Sequence, residues 1–295
     1  MATRFRDFLL LMRPHQWLKN GFVLVGLLFG HAWGDQEMVL RVALAVAAFS
    51  LFSSSVYVLN DLADAAADRL HPGKKERPLA AGRLASGHAV VFGIALALCG
   101  TLLGYAASWR VLVILLAYGV LNLAYSLRLK QIVILDVFCI AAGFMLRILA
   151  GTTGVGIAPS NWLLLTGLML TLFLGFAKRR AELLALETVG KTDKASVRRV
   201  LDDYSPVVLD QLTGISAACS IISYGIYSVS ADTVRAHGTD ALIYTLPFVV
   251  YGMFRYLFLL HHRAAGNDTA RDLLRDPHLI ATGLGWLAVT AVVLR

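Results

Sequence analysis

The chain has 295 residues, of which 58% are hydrophobic and 16% are charged, and its mean hydropathy is +0.68. This composition lies far outside the range of soluble domains and indicates a polytopic membrane protein. Lysine and arginine outnumber aspartate and glutamate by 27 to 19, which gives a net charge of +8. In a membrane protein we interpret this excess as a result of topology and of contact with anionic lipids, and not as a nucleic-acid-binding surface.

Nine apolar windows are long enough to cross about 30 Å of hydrocarbon, which takes roughly 20 residues. They are 18–34, 37–59, 89–108, 110–127, 132–151, 161–177, 210–230, 241–260 and 278–294. The sequence therefore predicts an all-α membrane protein with nine transmembrane helices in a single domain, 1–295. The predicted cytoplasmic loops are about 60–88, 128–131, 178–209 and 261–277.

Positive charge is distributed unevenly between the predicted loops. If the N-terminus is cytoplasmic, the inside segments contain 21 of the 27 lysines and arginines, whereas the outside segments contain only Arg110, Arg235 and Arg295. This bias follows the positive-inside rule. We therefore predict a multi-pass protein of the inner (plasma) membrane with a cytoplasmic N-terminus. Because the predicted number of helices is odd, its C-terminus is predicted to be extracytoplasmic.

The acidic stretch after the second window is the clearest sign of chemistry in the chain. Asn60, Asp64 and Asp68 recur at i, i+4 and i+8 with Asp61 beside them, so one stripe of a helix holds an amide and three carboxylates. Like charges this close repel one another, so a cation is expected to offset them. Mg²⁺ suits such a site because it binds carboxylate oxygens and leaves positions for substrate phosphates. The alternative is a solvated, acidic helix end.

A basic loop follows this acidic stripe directly. Its cations are Arg69, Lys74, Lys75, Arg77 and Arg83. Guanidinium and ammonium groups can hold the phosphate oxygens that a metal ion also holds. Carboxylates for a metal beside cations for phosphates predict a diphosphate site, in which Asn60, Asp61, Asp64 and Asp68 are the metal ligands.

Several other polar residues are candidates for function, each with a plainer alternative. Lys19 either lies at the rim of the pocket or belongs to an interfacial anchor formed by 13–20. Lys130 and Asp136 can form a simple pair at a helix entrance. Arg147 lies inside the fifth window, where a charge requires a partner or a cavity, so it either orients its neighbours or lines the pocket. The polar interval from 188 to 205 is either a binding loop or a solvated loop.

Two motifs near the N-terminus resemble those of the UbiA superfamily of intramembrane prenyltransferases. Residues 13–20 read Arg-Pro-His-Gln-Trp-Leu-Lys-Asn, and residues 60–68 contain the pattern NDxxDxxxD, followed by His71-Pro72 and by RPLAAG from Arg77. The resemblance covers nearly the whole chain. It implies a UbiA-type bundle of nine transmembrane helices around a central cavity that opens to the cytoplasmic side and laterally to lipid.

Within this superfamily the chain is most similar to the decaprenyl-phosphate phosphoribosyltransferase branch. The matching features are YSxxLK at 125–130, Asp136, GFxLR at 143–147, Gly151, KRRAEL at 178–183 and Tyr204. Enzymes of this branch transfer 5-phosphoribose from phosphoribosyl diphosphate (PRPP) to a polyprenyl phosphate and release diphosphate, for the synthesis of arabinose donors to the cell envelope. The resemblance implies a Mg²⁺-dependent transferase with PRPP, polyprenyl phosphate and membrane lipids as partners, and it leaves a homo-oligomer open.

One departure from the superfamily pattern favours the phosphoribosyl donor. Aromatic prenyltransferases of the superfamily carry a second acidic motif, DxxxD, where this chain has KRRAEL with the single acid Glu182. A prenyl diphosphate needs metal ligands on both walls of its site, whereas PRPP brings a 5-phosphate that needs cations. An aromatic or quinone-type polyprenyltransferase that uses a prenyl diphosphate remains the alternative. A transporter or lipid-binding protein is a second alternative. It would be expected to carry its charges near the membrane midplane, whereas the acids of this chain cluster at the predicted cytoplasmic edge.

The predicted roles follow from the motifs and the resemblance together. Asp61, Asp64 and Lys130 are predicted to be catalytic. The predicted substrate-binding residues are Lys19, Asn60, Lys74, Arg77, Tyr125, Arg147, Lys178, Arg179 and Glu182. The cations Lys178 and Arg179 of that set, together with Arg180, are candidates for the 5-phosphate or for the lipid phosphate. Because the acceptor is already an anion, no strong general base is required, and positioning is expected to supply most of the catalysis.

Overall fold

The structure is a computed structural model that describes residues 2–70, 75–189, 201, 203–262 and 275–294. Throughout these ranges the regular secondary structure is helical, with no β-strand. The chain divides into two compact units. The first consists mainly of Met1–Leu129 and Leu146–Ile157, and the second mainly of Lys130–Met145, Ala158–Asp193 and Arg198–Arg295.

The helices are numbered here in chain order. The first five are α1 (Ala2–Met12), α2 (Val25–Phe29), α3 (Gln36–Leu70), α4 (Ser86–Ala107) and α5 (Trp109–Leu127). They are followed by α6 (Leu135–Gly151), α7 (Asn161–Val189), α8 (Pro206–Val229), α9 (Ala231–His237), α10 (Leu246–His262) and α11 (Pro277–Val293). Short 3-10 helices lie at Pro14–Leu24, Leu129–Gln131 and Ala241–Thr245.

Six helical segments in the described part of the chain are long and apolar enough to cross a membrane. They are Gln36–Arg69, Ser86–Ala107, Trp109–Leu127, Asn161–Leu184, Pro206–Val229 and Ala241–His262. Two further helices, α6 and α11, are apolar but have 17 residues each. The structure therefore confirms an all-helical membrane protein. The count of nine spans, the opening of the cavity and the side on which each terminus lies stay predictions.

The first predicted window, 18–34, is not one regular α-helix. Its beginning lies in the 3-10 helix Pro14–Leu24, and the α-helical part that follows has only five residues. Gly151, at the end of α6, explains how closely this segment packs within the first unit. A Cβ atom added at Gly151 would lie 1.7 Å from the carbonyl oxygen of Val23, so only glycine permits the contact.

Helix α3 carries the acidic stripe on the same element that forms the core of the first unit. Its 35 residues contain no glycine or proline, so nothing interrupts the backbone hydrogen bonds between the membrane-spanning part and the stripe. Val42, Phe49 and Val56 are buried among residues of α5 and α6 within this unit. The stripe is therefore fixed by the packing of the helix that bears it.

The segment after α1 is held along α3 by a series of polar contacts. The indole Nε1 of Trp17 donates a hydrogen bond to the Ser54 hydroxyl at 3.0 Å, and the Asn20 amide donates to the Ser50 hydroxyl at 3.0 Å. The Ser54 hydroxyl in turn donates to the carbonyl oxygen of Met12 at 2.8 Å. These contacts fix where the RPHQWLKN motif lies relative to the stripe.

The core of the second unit is formed by α7, α8, α10 and α11. Phe173 and Ala177 of α7 pack with Ala217 of α8 and with Met253 and Tyr256 of α10. The helix pair α7 and α8 is also joined by a hydrogen bond between the hydroxyls of Thr166 and Ser223, at 3.1 Å. This packing positions the end of α7 that carries the KRRAEL motif.

Candidate functional site

The acidic stripe on α3 is enclosed on one side by an arginine from the basic loop. Asp61 and Asp68 are each 3% exposed, whereas Asp64 is exposed. One guanidinium nitrogen of Arg77, Nη1, lies 3.0 Å from Asp61 Oδ1 and 2.6 Å from Asp68 Oδ2. A single positively charged nitrogen therefore contacts both carboxylates, at a point between them where a cation can be held. A cation thus lies beside the carboxylates, as their mutual repulsion predicted, and this cation is an arginine side chain.

Arg13 is a second cation on the stripe, and the sequence analysis did not assign it to the site. Its Nη2 lies 2.5 Å from Asp61 Oδ1, and its guanidinium stacks on the ring of Tyr57 at 5.3 Å. The backbone of Arg13 is left-handed, with φ of 54° and ψ of 60°, a conformation that costs about 1–3 kcal/mol for a residue with a side chain. The contacts with Tyr57 and Asp61, one turn apart on α3, hold it there.

The donor atoms of the stripe fit a hard divalent cation. Asp61, Asp64 and Asp68 supply carboxylate oxygens and Asn60 an amide oxygen, which are the ligands Mg²⁺ prefers. Both arginines contact Oδ1 of Asp61, and among the described residues no hydrogen bond or ion pair reaches its Oδ2. The described part of the chain holds no group of three ligating side chains close enough to form a preformed metal centre. The roles of these four residues as metal ligands therefore stay predictions.

Asn60 links the stripe to the YSxxLK motif on α5. Its Oδ1 accepts a hydrogen bond from the Ser126 hydroxyl at 3.1 Å, next to the half-buried side chain of Tyr125. The two motifs are 66 residues apart in sequence. The structure thus brings together two elements that the sequence assigned to the site separately, and it adds Ser126 to them.

Arg147 is buried in the first unit and has hydrogen-bond partners there. It is 5% exposed; its Nε donates to Asn20 Oδ1 at 2.8 Å, and its Nη2 donates to the Tyr118 hydroxyl at 3.0 Å. Its guanidinium also lies 4.7 Å from the centre of the Tyr118 ring. Arg147 therefore orients the segment that contains Asn20 and the half-buried Lys19. Contacts of Arg147 or Lys19 with substrate stay predictions.

In the second unit, Asp136 does not pair with Lys130, the simple partner that the sequence offered. Asp136 is fully buried and accepts a hydrogen bond from the Tyr204 hydroxyl at 2.7 Å. Its other oxygen lies 3.0 Å from Nε of Arg179, an ion pair without the alignment of a hydrogen bond. Lys130 is half-buried, and no described side chain forms a hydrogen bond or ion pair with its ammonium group.

The three cations of the KRRAEL motif have different surroundings. Arg179 has no exposed surface, and besides Asp136 it contacts the Glu182 carboxylate through Nη1. Arg180 lies with its Nε 2.8 Å from Asp210. Lys178 is half-buried. All three were candidates for a phosphate in the sequence, with Lys178 and Arg179 as the predicted substrate-binding residues, and the structure shows Arg179 enclosed and its two neighbours partly exposed.

Some predicted site residues are not placed at the stripe. Lys74 lies outside the described residues, as does most of the polar interval from 188 to 205. Arg83 of the basic loop pairs with Asp7 of α1, with Nε 2.9 Å from Oδ1. Within the described part of the basic loop, Arg77 is therefore the cation that reaches the carboxylates.

Comparisons with known proteins identify the family to which the chain is similar. A profile of the UbiA prenyltransferase family matches residues 21–274. Proteins named decaprenyl-phosphate phosphoribosyltransferase from Corynebacterium glutamicum and Mycolicibacterium smegmatis are 33% and 30% identical, over 94% of this chain and 83% and 88% of theirs. A UbiA homologue from Archaeoglobus fulgidus, solved bound to DMAPP and Mg²⁺, has a TM-score of 0.72 at 19% identity, over 98% of this chain and 99% of that one. The last likeness concerns the fold alone.

Proposed function

The chain belongs to the UbiA prenyltransferase family and is a membrane transferase, and from this premise we propose that it transfers 5-phosphoribose from PRPP to a polyprenyl phosphate and releases diphosphate. The relatives named decaprenyl-phosphate phosphoribosyltransferase support this choice of donor and acceptor. The product would serve as a precursor of arabinose donors for the cell envelope, at the inner membrane.

The state of the acids in the second unit carries the proposal. A prenyl diphosphate donor would require a second wall of free carboxylates for metal ions. Here Asp136 and Glu182 are both paired with the enclosed guanidinium of Arg179, and Asp210 is paired with Arg180. These three carboxylates are thus all paired with arginine, whereas the stripe on α3 has the exposed Asp64 and an oxygen of Asp61, Oδ2, that no described residue reaches with a hydrogen bond or ion pair. A donor with an additional phosphate, such as PRPP, instead gains from the cations of this motif.

Mg²⁺ would be held by the side chains of the acidic stripe, Asn60, Asp61, Asp64 and Asp68. When bound, the ion would neutralise the charge that develops on the departing diphosphate. Solved UbiA homologues from Archaeoglobus fulgidus have Mg²⁺ bound, which supports the same ion here. Arg77 and Lys74 are the proposed contacts of the first unit with the diphosphate. Arg77 already stands between two of the carboxylates that would hold the metal.

The proposed reaction is a displacement at the anomeric carbon of ribose. An oxygen of the polyprenyl phosphate forms the new bond to this carbon, the bond to the diphosphate oxygen breaks, and the electron pair leaves with diphosphate. In the second unit, Lys130 and Lys178 are the proposed phosphate contacts, and Glu182 orients the ribose. The acceptor phosphate is already ionised, so no side chain must remove a proton from it. The task of the protein is to align two anions that repel.

The test is a reconstitution with defined substrates. The purified protein in lipid nanodiscs is incubated with Mg²⁺ and polyprenyl phosphate together with PRPP, or with a prenyl diphosphate and an aromatic acid. The expected product of the first mixture is a polyprenyl-linked phosphoribose, identified by its mass together with an equal amount of diphosphate. Formation of a prenylated ring in the second mixture and no product in the first would instead establish the aromatic prenyltransferase alternative.

A further inference from the structure

We propose that Asp136 and Tyr204 are positioning residues of the transfer reaction, which act through Arg179 to hold Glu182 as the acceptor of hydrogen bonds from the ribose hydroxyls. This inference rests on the proposed function because it assigns a role toward the ribose of PRPP. All four residues belong to the second unit. The sequence showed Asp136 and Tyr204 as features shared with the phosphoribosyltransferase branch but assigned neither a role toward substrate.

The four side chains form one connected series. The Tyr204 hydroxyl donates to Asp136 Oδ1 at 2.7 Å, and Asp136 Oδ2 lies 3.0 Å from Arg179 Nε. Arg179 then contacts the carboxylate of Glu182 through Nη1. The side chains of Asp136 and Arg179 have no exposed surface, whereas 22% of the Glu182 side chain is exposed. A series of enclosed groups thus ends at a carboxylate that a solute can contact.

Tyr204 also fixes a strained turn of the backbone. Ile134 has a φ of 67°, a left-handed conformation that is a clear outlier for a β-branched residue. Its backbone N–H donates a hydrogen bond to the Tyr204 hydroxyl oxygen at 2.7 Å. The strained residue lies between Lys130 and the start of α6, so the tyrosine holds the path of the chain that follows this lysine. Such strain persists where the surrounding contacts determine the conformation, and it concentrates at functional sites.

The tyrosine is suited to act as a permanent donor. Burial, and then its hydrogen bond to Asp136, raise the pKa of the Tyr204 phenol well above its usual range. The hydroxyl therefore keeps its proton at physiological pH and donates to Asp136. The other oxygen of Asp136 lies 3.0 Å from Nε of Arg179, so the charge of this carboxylate holds the buried guanidinium beside it.

Stability alone is a weak reason for such a series. A buried ion pair loses about as much by desolvation as it gains by attraction, and apolar residues of similar volume often serve as well. Apolar side chains in place of Arg179 and Asp136 would therefore be expected to stabilise the protein about as well. What they supply specifically is the direction of the Glu182 carboxylate. A carboxylate is an acceptor only, and ribose hydroxyls are donors, whereas a prenyl chain offers none.

The experiment is a double-mutant cycle with Tyr204→Phe and Glu182→Gln, measured as KM for PRPP and KM for polyprenyl phosphate in the full-length protein. Glu182→Gln should raise the KM for PRPP by about ten-fold, the size of one lost hydrogen bond to a charged group. Tyr204→Phe should raise it by less. The double variant should match Glu182→Gln, because Tyr204 acts only through Glu182. The KM for polyprenyl phosphate should stay at the parent value throughout.

Tyr224→Phe is the matched control. Tyr224 is as buried as Tyr204, at 5% exposure, lies in the same unit, and also has two partners for its hydroxyl, Thr245 at 2.6 Å and Trp286 at 2.9 Å. Its loss should lower the thermal midpoint as Tyr204→Phe does, without a change in the KM for PRPP. Three results would each overturn the proposal. Tyr204→Phe could leave the KM for PRPP unchanged, or Tyr224→Phe could change it as much as Tyr204→Phe does. In the double-mutant cycle, the effects of Tyr204→Phe and Glu182→Gln on this KM could be additive.

A second cycle guards against loss of folding. If Tyr204→Phe does not yield folded protein, Arg179→Lys replaces it, because lysine keeps a charge beside Asp136 but cannot bridge two carboxylates with a planar fork. Failure of the proposed function is recognised separately, as a parent protein that makes no product from PRPP. The cycle is then measured with the donor that the parent does use, and additivity with that donor overturns the positioning role as well.

Discussion

Asp64 offers the sharpest test of the acidic stripe, because the structure separates its role in the reaction from any role in folding. Asp61 and Asp68 are buried and paired with arginines, so removing either one would break an ion pair as well as remove a predicted metal ligand. Asp64 is exposed, and no described residue forms an ion pair with it. Asp64→Ala therefore removes a metal ligand from the stripe and leaves the packing of α3 intact.

The expected effects differ greatly in size. An exposed substitution to a strong helix former changes the free energy of unfolding by about 0.5 kcal/mol or less. Removing one group that stabilises developing charge costs about a hundred- to a thousand-fold in rate, or roughly 3–4 kcal/mol of transition-state free energy. Asp64→Ala should therefore lower turnover at least about a hundred-fold while the thermal midpoint stays close to that of the parent.

The assay measures turnover of PRPP and polyprenyl phosphate across a Mg²⁺ titration, beside the thermal midpoint of each variant in the same nanodiscs. Glu37→Ala is the control, because Glu37 is an exposed acid near the other end of the same helix and its carboxylate pairs, among the described residues, with Arg41 alone. It should leave both quantities unchanged. If Asp64→Ala turns over substrate near the parent rate at saturating Mg²⁺, Asp64 is not required for the reaction. The thermal midpoint shows separately whether the variant is folded.

Three further predictions test other parts of the site and the topology. Arg13→Ala should lower turnover about ten-fold because its ion pair with Asp61 is lost. Arg83→Ala, which breaks the ion pair between the basic loop and α1, should leave turnover unchanged. Equal losses in the two variants would show that Arg13 only holds the N-terminal segment in place. Lys178→Ala should raise the PRPP requirement by one to two decades and leave that for polyprenyl phosphate unchanged; the reverse would move Lys178 to the acceptor. A reporter fused after Arg295 should be extracytoplasmic and one inserted within 188–196 cytoplasmic; the same side for both would exclude nine spans.

The sequence by itself determined the features that depend on local order and composition. Mean hydropathy indicated the membrane class, and the apolar window directly before the acidic stripe predicted that the stripe follows a membrane helix. Helical periodicity placed Asp61, Asp64 and Asp68 on one stripe. Hydropathy averages over a window, however, and does not distinguish a 3-10 helix from an α-helix, which is why 18–34 was predicted as a single span.

Only the tertiary structure decided which charges meet. Arg13 reaches Asp61 from 48 residues away, and Tyr204 reaches Asp136 from 68 residues away. Helical periodicity relates residues three or four positions apart, so it could not predict either contact. The same holds for Arg179, whose neighbours in the KRRAEL motif have different surroundings although all three carry the same charge. Periodicity relates residues of one element, whereas the partner of a charge is set by how separate elements pack, because a buried charge must be matched wherever the fold places it.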